Sequence, residues 1–255
     1  MSKGASFKTI PPRKPDLKDC RFYHSVTLPS GEVSGEWDLR KDVDAYLGNV
    51  DFKGKSVFEV GPASGFLSVH MEKAGASVTC LEPPMSHLWD IVPFEGFNVE
   101  KWRKEFVDII GGVRNSFWYY HDLHKSSVRM IETDPYHIQP DVGDYDIGLL
   151  ASVLLHTRAP FNLLEQVARR VRETIIVTEM YNPELGQEAI CRLLPHRGVQ
   201  QVDTWWQFSP GFFFSSLGLL GFTEARFSTH NQYSAATNQI VPMFTAVCSR
   251  PKKAA

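Results

Sequence analysis

The sequence predicts an α/β fold built on a doubly wound, mostly parallel sheet, and three observations carry that expectation. An apolar run over residues 56–60 meets Gly61 and Gly65 and continues as Phe66, Leu67, Val69 and Met71 at helical spacing, ending at Gly75. That is strand, tight turn, helix. Further apolar runs then alternate with helical stretches, the order of βαβ units. The last two runs, 222–229 and 240–249, form an antiparallel hairpin that ends the sheet. With 255 residues the expectation is one domain over 51–255, preceded by an N-terminal arm and lid segment over 1–50.

The elements follow in order. Residues 1–20 are rich in Pro and Lys and lack an apolar period, so a flexible or loosely docked arm is expected. Residues 21–33 suit a hairpin around Pro29, Ser30 and Gly31, with Tyr23 and His24 on its first arm. Trp37, Asp38 and Arg40 precede a short helix over 41–47 that Gly48 ends. Arg40 can pair with Asp38 or Asp42, or meet a substrate carboxylate. A second strand over 78–81 stops at Glu82, and 86–97, without a strong period, form an inserted loop. Val99, Trp102, Phe106, Ile109, Val113, Phe117 and Tyr120 then recur every three or four residues. They make a long amphipathic helix, with a kink expected at Gly111 and Gly112.

A third strand over 128–132 leads into Thr133, Asp134 and Pro135, and a fourth over 145–151 ends in Ala151 and Ser152. A helix over 160–172 and a strand over 174–180 come next. Glu179 near that strand's end either meets a ligand at the sheet's carboxyl edge or caps a loop. Residues 182–203 form a loop-rich insert with room for a helix, and Ser209 caps a helix over 210–220.

Composition narrows the function classes. A net charge of -2 gives no electrostatic case for a nucleic acid partner, which rests on clustered Lys and Arg. No apolar run reaches 18 residues, and the first 20 lack a signal peptide's apolar core, so a cytoplasmic protein without membrane contact is expected. Cys20, Cys80, Cys191 and Cys248 have neither CxxC spacing nor a disulfide pattern. His121 and His124 lie three apart without a clear third ligand, so no metal site is expected.

The chemistry gathers at residues 59–65 and 82. Gly61 and Gly65 allow a sharp turn and close approach to a ligand, while amides opening the helix supply positive potential. An acid ending the next strand, Glu82, can accept from both hydroxyls of a ribose. The glycines do not fit the GxGxxG spacing of a dinucleotide site, and Glu59 beside a bound pyrophosphate would repel it. A cationic nucleoside suits both acids.

These residues resemble the first motif of class I S-adenosylmethionine-dependent methyltransferases, an acid followed by GxGxG, here Glu59, Gly61, Ala63 and Gly65 with alanine at the middle glycine. Phe22, Tyr23, His24, Leu28, Pro29, Ser30, Gly31, Glu32, Val33, Gly35, Trp37, Asp38 and Arg40 are similar to the N-terminal signature of a subgroup related to wobble-uridine tRNA methyltransferases and small-molecule O-methyltransferases. The resemblance implies a seven-stranded Rossmann-like sheet with an N-terminal cap and inserted helical segments. It implies S-adenosylmethionine as cofactor, held by Glu59, Gly61, Pro62, Ala63, Ser64, Gly65, Glu82 and Pro83, with Asp134, Pro135, Ala151 and Ser152 near the adenine and the methyl donor. Asp134 is equally a turn residue before proline.

Tyr23 and His24 would then lie on a lid, and His156 would face the donor, either taking a proton from a hydroxyl or fixing its loop. Trp37, Arg40, Glu179, Trp205 and Trp206 are the acceptor-side candidates, each tryptophan having core packing as its other role. The expected acceptor is a small hydroxylated molecule such as a sugar or natural product. A tRNA would need basic surface, and a non-catalytic nucleotide-binding protein would need a blocked acceptor pocket.

Overall fold

The computed structural model describes residues 5–87, 90, 91, 93–196 and 202–252. In chain order these form β1 (Lys8–Ile10), β2 (Val26–Thr27), β3 (Val33–Ser34), β4 (Trp37–Asp38), α1 (Val43–Tyr46), β5 (Ser56–Val60), α2 (Phe66–Lys73) and β6 (Ser77–Glu82). There follow α3 (Val99–His124), β7 (Arg129–Glu132), β8 (Tyr145–Ala151), α4 (Pro160–Ala168), β9 (Val171–Met180), β10 (Cys191–Leu193) and β11 (Trp206–Phe208). The chain closes with α5 (Pro210–Leu219), β12 (Glu224–Ser234) and β13 (Gln239–Ser249).

The main sheet runs β1-β7-β6-β5-β8-β9-β13-β12-β4. The five strands β7, β6, β5, β8 and β9 are parallel, and β13 and β12 return antiparallel. The sheet therefore has nine strands where seven were expected. The two extra ones come from the N-terminal segment: β1 adds to β7 from Lys8↔Glu132 to Ile10↔Met130, and β4 adds to β12 at Tyr233↔Asp38 and Ser234↔Trp37. The arm over 1–20 is thus docked in part, its Ser6 amide and hydroxyl also donating to Asp141. Edge pairing of this kind uses backbone groups alone, so a short, exposed strand leaves no apolar period in the sequence.

Helices cover both faces. Val57, Leu149 and Ile176 pack on one face with Leu67 and Met71 of α2 and Phe117 and Trp118 of α3. On the other, Phe58, Leu150 and Val177 pack with Leu163 and Leu164 of α4 and Phe213 and Leu217 of α5. Alternating residues of each strand serve opposite faces, as the pleat requires. Strand order reverses between β5 and β8, which leaves a crevice above their carboxyl ends where ligands of open α/β sheets sit.

Several boundaries move. α4 ends at Ala168 rather than 172 because Val171 already pairs with Tyr145, extending β9 backwards. The helix allowed for in 182–203 is not formed among the described residues; a single turn over Pro183–Leu185 and β10, paired with β11, stand there instead. α3 runs unbroken through Gly111 and Gly112, and Gly112 accepts from the Arg21 amide at 3.0 Å, where the N-terminal segment crosses. The hairpin at 21–33 pairs Val26–Thr27 with Val33–Ser34, leaving Tyr23 and His24 before its first strand. Ser209 caps α5 as expected, accepting from the Phe212 amide.

Candidate active site

The crevice opens into a cavity of about 380 Å³. Its floor is the ends of β5, β6 and β8, its long wall is the apolar face of α3, and its roof is the N-terminal segment at Tyr23, His24 and Glu36. No helix among the described residues is long and apolar enough to cross a membrane.

The floor is made by the turn after β5. Gly61 and Ala63 line the cavity with φ of 68° and 48°, both left-handed. Ala63 holds this conformation with a Cβ, which costs on the order of 1 kcal/mol where glycine would be free. Ser152, at the end of β8, also lines the cavity and is left-handed at φ 52°. Strained residues of this kind gather at functional sites because the surrounding fold fixes them. Gly65 serves packing: a Cβ there would lie 2.9 Å from the Phe117 ring, so the glycine lets α3 close on the turn. Its amide donates to the Pro62 carbonyl at 2.8 Å. Ser64 supports the roof, its Oγ accepting from the amides of Tyr23 at 2.6 Å and His24 at 3.3 Å. Pro62, Ser64 and Gly65 therefore shape the turn without lining the cavity.

The two acids of the motif separate. Glu82 ends β6 and lines the cavity, 8% exposed, beside Pro83. Burial raises its pKa, the Arg114 guanidinium opposes that, and Glu132 adds to it. Glu59, expected among the residues holding the cofactor, is not among those lining the cavity. Its Oε2 accepts from Ser68 Oγ at 2.5 Å and from Cys80 Sγ at 3.4 Å, tying β5 to α2 and β6. Burial pushes Glu59 up to about 7 against those two hydrogen bonds.

Among the other lining residues, His156 Nδ1 donates to the Asp203 carbonyl at 2.5 Å, which puts the ring's lone pair on Nε2 in the neutral form. Burial lowers its pKa, partly offset by that carbonyl and the Asp203 charge. His24, 6% exposed, is lowered to about 4 by burial, and its Nδ1 has no partner among the described residues. Burial thus favours its neutral form. Tyr23 is pushed up to about 12 by burial and the nearby Glu36 and Glu179. The phenol therefore keeps its proton at neutral pH.

Pro135 and Ala151 line the cavity with these groups, while six other candidates do not. Asp134 takes the turn role: its carboxylate accepts from the Tyr136 amide at 2.9 Å and meets His137 at 2.7 Å. Arg40 forms the salt bridge, 2.7 Å from Asp38, and reaches Thr27 at 3.0 Å. Trp37 belongs to the edge strand β4. Trp205 is buried, and Trp206 donates from its indole to the Thr157 carbonyl at 2.6 Å. Glu179 is 2% exposed and faces, with Trp206, a separate void of about 20 Å³. Sequence spacing cannot tell which end of a long aromatic or charged residue crosses to a cleft, and these six had chemistry without position.

Sequence reasoning missed the wall. Trp102, Phe106, Ile109, Ile110 and Val113 of α3 face the cavity, and so does Arg114. A charged residue inside the helix's apolar stripe was the available signal. Acids also outnumber cations around the cavity: Glu36, Glu82, Asp90, Glu105 and Asp203 against Arg21 and Arg114. Such a site favours a ligand carrying positive charge. Among the described residues no group of three His, Cys, Asp or Glu could hold a metal ion; His121 contacts the Val128 carbonyl and His124 contacts Lys73.

No family model matches the chain. No curated protein matches it either. Solved structures do. The N-terminal domain of EvdMO1 with SAH bound superposes with a TM-score of 0.59 at 18% identity, over 92% of this chain and 93% of that one. The same domain in the presence of SAH and D-fucose gives 0.53 at 20% identity, over 91% and 93%. The 1,6-didemethyltoxoflavin-N1-methyltransferase of Burkholderia thailandensis, with 1,6-didemethyltoxoflavin and S-adenosylhomocysteine bound, gives 0.51 at 13% identity, over 83% and 78%. At these identities the likeness is one of fold: the chain has the mixed α/β architecture, with a large and mostly parallel sheet, of these methyltransferase structures.

Proposed function

We propose that the chain is an S-adenosylmethionine-dependent methyltransferase acting on a small hydroxylated molecule, a sugar or natural product. The observation that carries this is Glu82, a carboxylate at the end of β6 facing the cavity beside the left-handed turn at Gly61 and Ala63. Two hydroxyls of a ribose suit that acid, and bare backbone at the turn admits the rest of a nucleoside. The excess of acids around the cavity suits a sulfonium. The solved structures of like fold with SAH bound support the same cofactor.

When bound, S-adenosylmethionine supplies an electrophilic methyl group. This chain's residues would then do three things. Glu82 and the turn hold the nucleoside, with Pro83, Pro135, Ala151 and Ser152 around it. The α3 wall and the Tyr23–His24 roof exclude water, which strengthens polar contacts inside. His156, through Nε2, accepts the proton of an acceptor hydroxyl as it attacks, its ring held by the Asp203 carbonyl. Within this proposal residues 1–50 act as arm and lid to the domain over 51–255.

The test is calorimetry with S-adenosylhomocysteine. Wild type is expected to bind, and Glu82→Ala to lose about 10- to 100-fold in affinity, the cost of two charge-assisted hydrogen bonds of roughly 1.5–3 kcal/mol discounted for water entering the site. Absence of binding in the wild type, or equal binding by the variant, refutes the assignment.

A further inference from the structure

α3 carries one cation into the donor half of the cleft. Arg114 sits in an apolar stripe between Ile110 and Phe117, and its side chain is only 14% exposed. Nη2 lies 3.4 Å from Glu82 Oε2 and donates to the Pro83 carbonyl, and Nη1 lies 3.5 Å from Glu132 Oε2. Nε is buried without a partner among the described residues. Burying a guanidinium in an apolar stripe costs desolvation that leucine or methionine would avoid, so wall-building does not explain this residue. Its position against Glu82 does.

Glu82 needs such a partner. It is buried, and Glu132 on β7, Glu59 on β5 and the Cys80 thiol on its own strand all lie near enough to sense its charge. Burial and the Glu132 charge both favour a protonated Glu82, and Arg114 alone works the other way. A protonated carboxyl would present one acceptor oxygen less to a diol.

We propose that Arg114 is a positioning residue for the nucleoside: its guanidinium clamps one edge of the Glu82 carboxylate so that the other edge accepts from the ribose hydroxyls. This rests on the methyltransferase reading above. An opposite role, a plug that competes with the ribose for Glu82, has the opposite sign in experiment.

The experiment is calorimetry with S-adenosylhomocysteine on the full chain, wild type against Arg114→Met and Arg114→Lys, with thermal melts to verify folding. Wild-type affinity is expected to change less than about twofold between about pH 6.5 and 8.5, because the ion pair keeps Glu82 charged across that range. Arg114→Met is expected to bind about 10-fold or more weakly at about pH 6.5 and to recover part of the loss by about pH 8.5, as Glu82 regains its charge. Arg114→Lys, which keeps a cation, is expected to stay within about threefold of wild type. Should Arg114→Met not fold, Arg114→Gln carries the same comparison. Equal or tighter binding by the neutral variant, or a loss that is the same at both pH values, overturns the proposal. If those results appear while wild type binds, the methyltransferase reading stands; if wild type itself does not bind, both fall.

Discussion

At the scale of single residues, burial decides chemistry more than identity does. Glu179 was a substrate candidate at the sheet's carboxyl edge, yet it is 2% exposed, with Oε1 unpartnered among the described residues. Burial pushes its pKa from the ordinary 4.5 up to about 8, against hydrogen bonds from the Leu155 and Leu154 amides. The folded chain therefore holds a proton that the unfolded chain releases above the ordinary value. Stability from this group is greatest in acid and falls as pH rises through the window between 4.5 and about 8. Glu179→Gln removes that loss while keeping an oxygen for the two amides. The variant is expected to melt at about the same temperature as wild type near pH 5 and several degrees higher near pH 8.5, the gain being at most the roughly 5 kcal/mol that a rise from 4.5 to about 8 represents. Thermal melts at both pH values check it, and a variant less stable than wild type at the higher pH would show that the carboxylate is ionised and used. Position, here depth beneath the edge of β9, is what spacing along the chain does not encode.

At the scale of elements, legibility tracks how much of an element's stability comes from side chains. The strand, turn and helix over 56–75 and the closing hairpin were legible because buried side chains carry them, and burial imprints a period. β1 and β4 were not, because edge pairing is a backbone matter. α3 falls between: its apolar stripe announced a helix, but a stripe does not name what it packs against. Phe117 is where that helix meets the turn after β5. Its ring is 1% exposed, packs edge-on to Trp118 at 4.9 Å, and fills the space that Gly65 leaves open. Phe117→Ala is expected to cost about 3–5 kcal/mol, and Phe117→Leu markedly less, because leucine refills most of the cavity. Urea unfolding measures both. Because the ring seats α3 on the turn at 61–65, weaker binding of S-adenosylhomocysteine should accompany the loss; unchanged binding in a folded Phe117→Ala chain would separate the wall from the turn.

At the scale of the whole molecule, the net charge of -2 conceals a local imbalance that only the fold reveals, since Glu36, Glu82, Asp90, Glu105 and Asp203 meet only Arg21 and Arg114 around the cavity. The same sheet also joins the two cores. Val57 and Phe58 are neighbours on β5 yet belong to opposite faces, so neither face can lose its packing while the strand stays in register for the other. A single cooperative melting transition is expected, with a ligand at the crest of β5, β6 and β8 stabilising both halves at once. Binding to the folded state alone adds RT ln(1 + [L]/Kd), about 2.7 kcal/mol at a hundred times Kd. For a chain of this size that raises Tm by about 5 °C. S-adenosylhomocysteine should therefore move the whole transition by about that much, whereas a nicotinamide dinucleotide, whose pyrophosphate would meet the acids of the cavity, should move it little. Scanning calorimetry reads both outcomes. A shift confined to one of two transitions would contradict the shared sheet, and a larger shift with the dinucleotide would replace the sulfonium with a pyrophosphate as the ligand this cleft is built to hold.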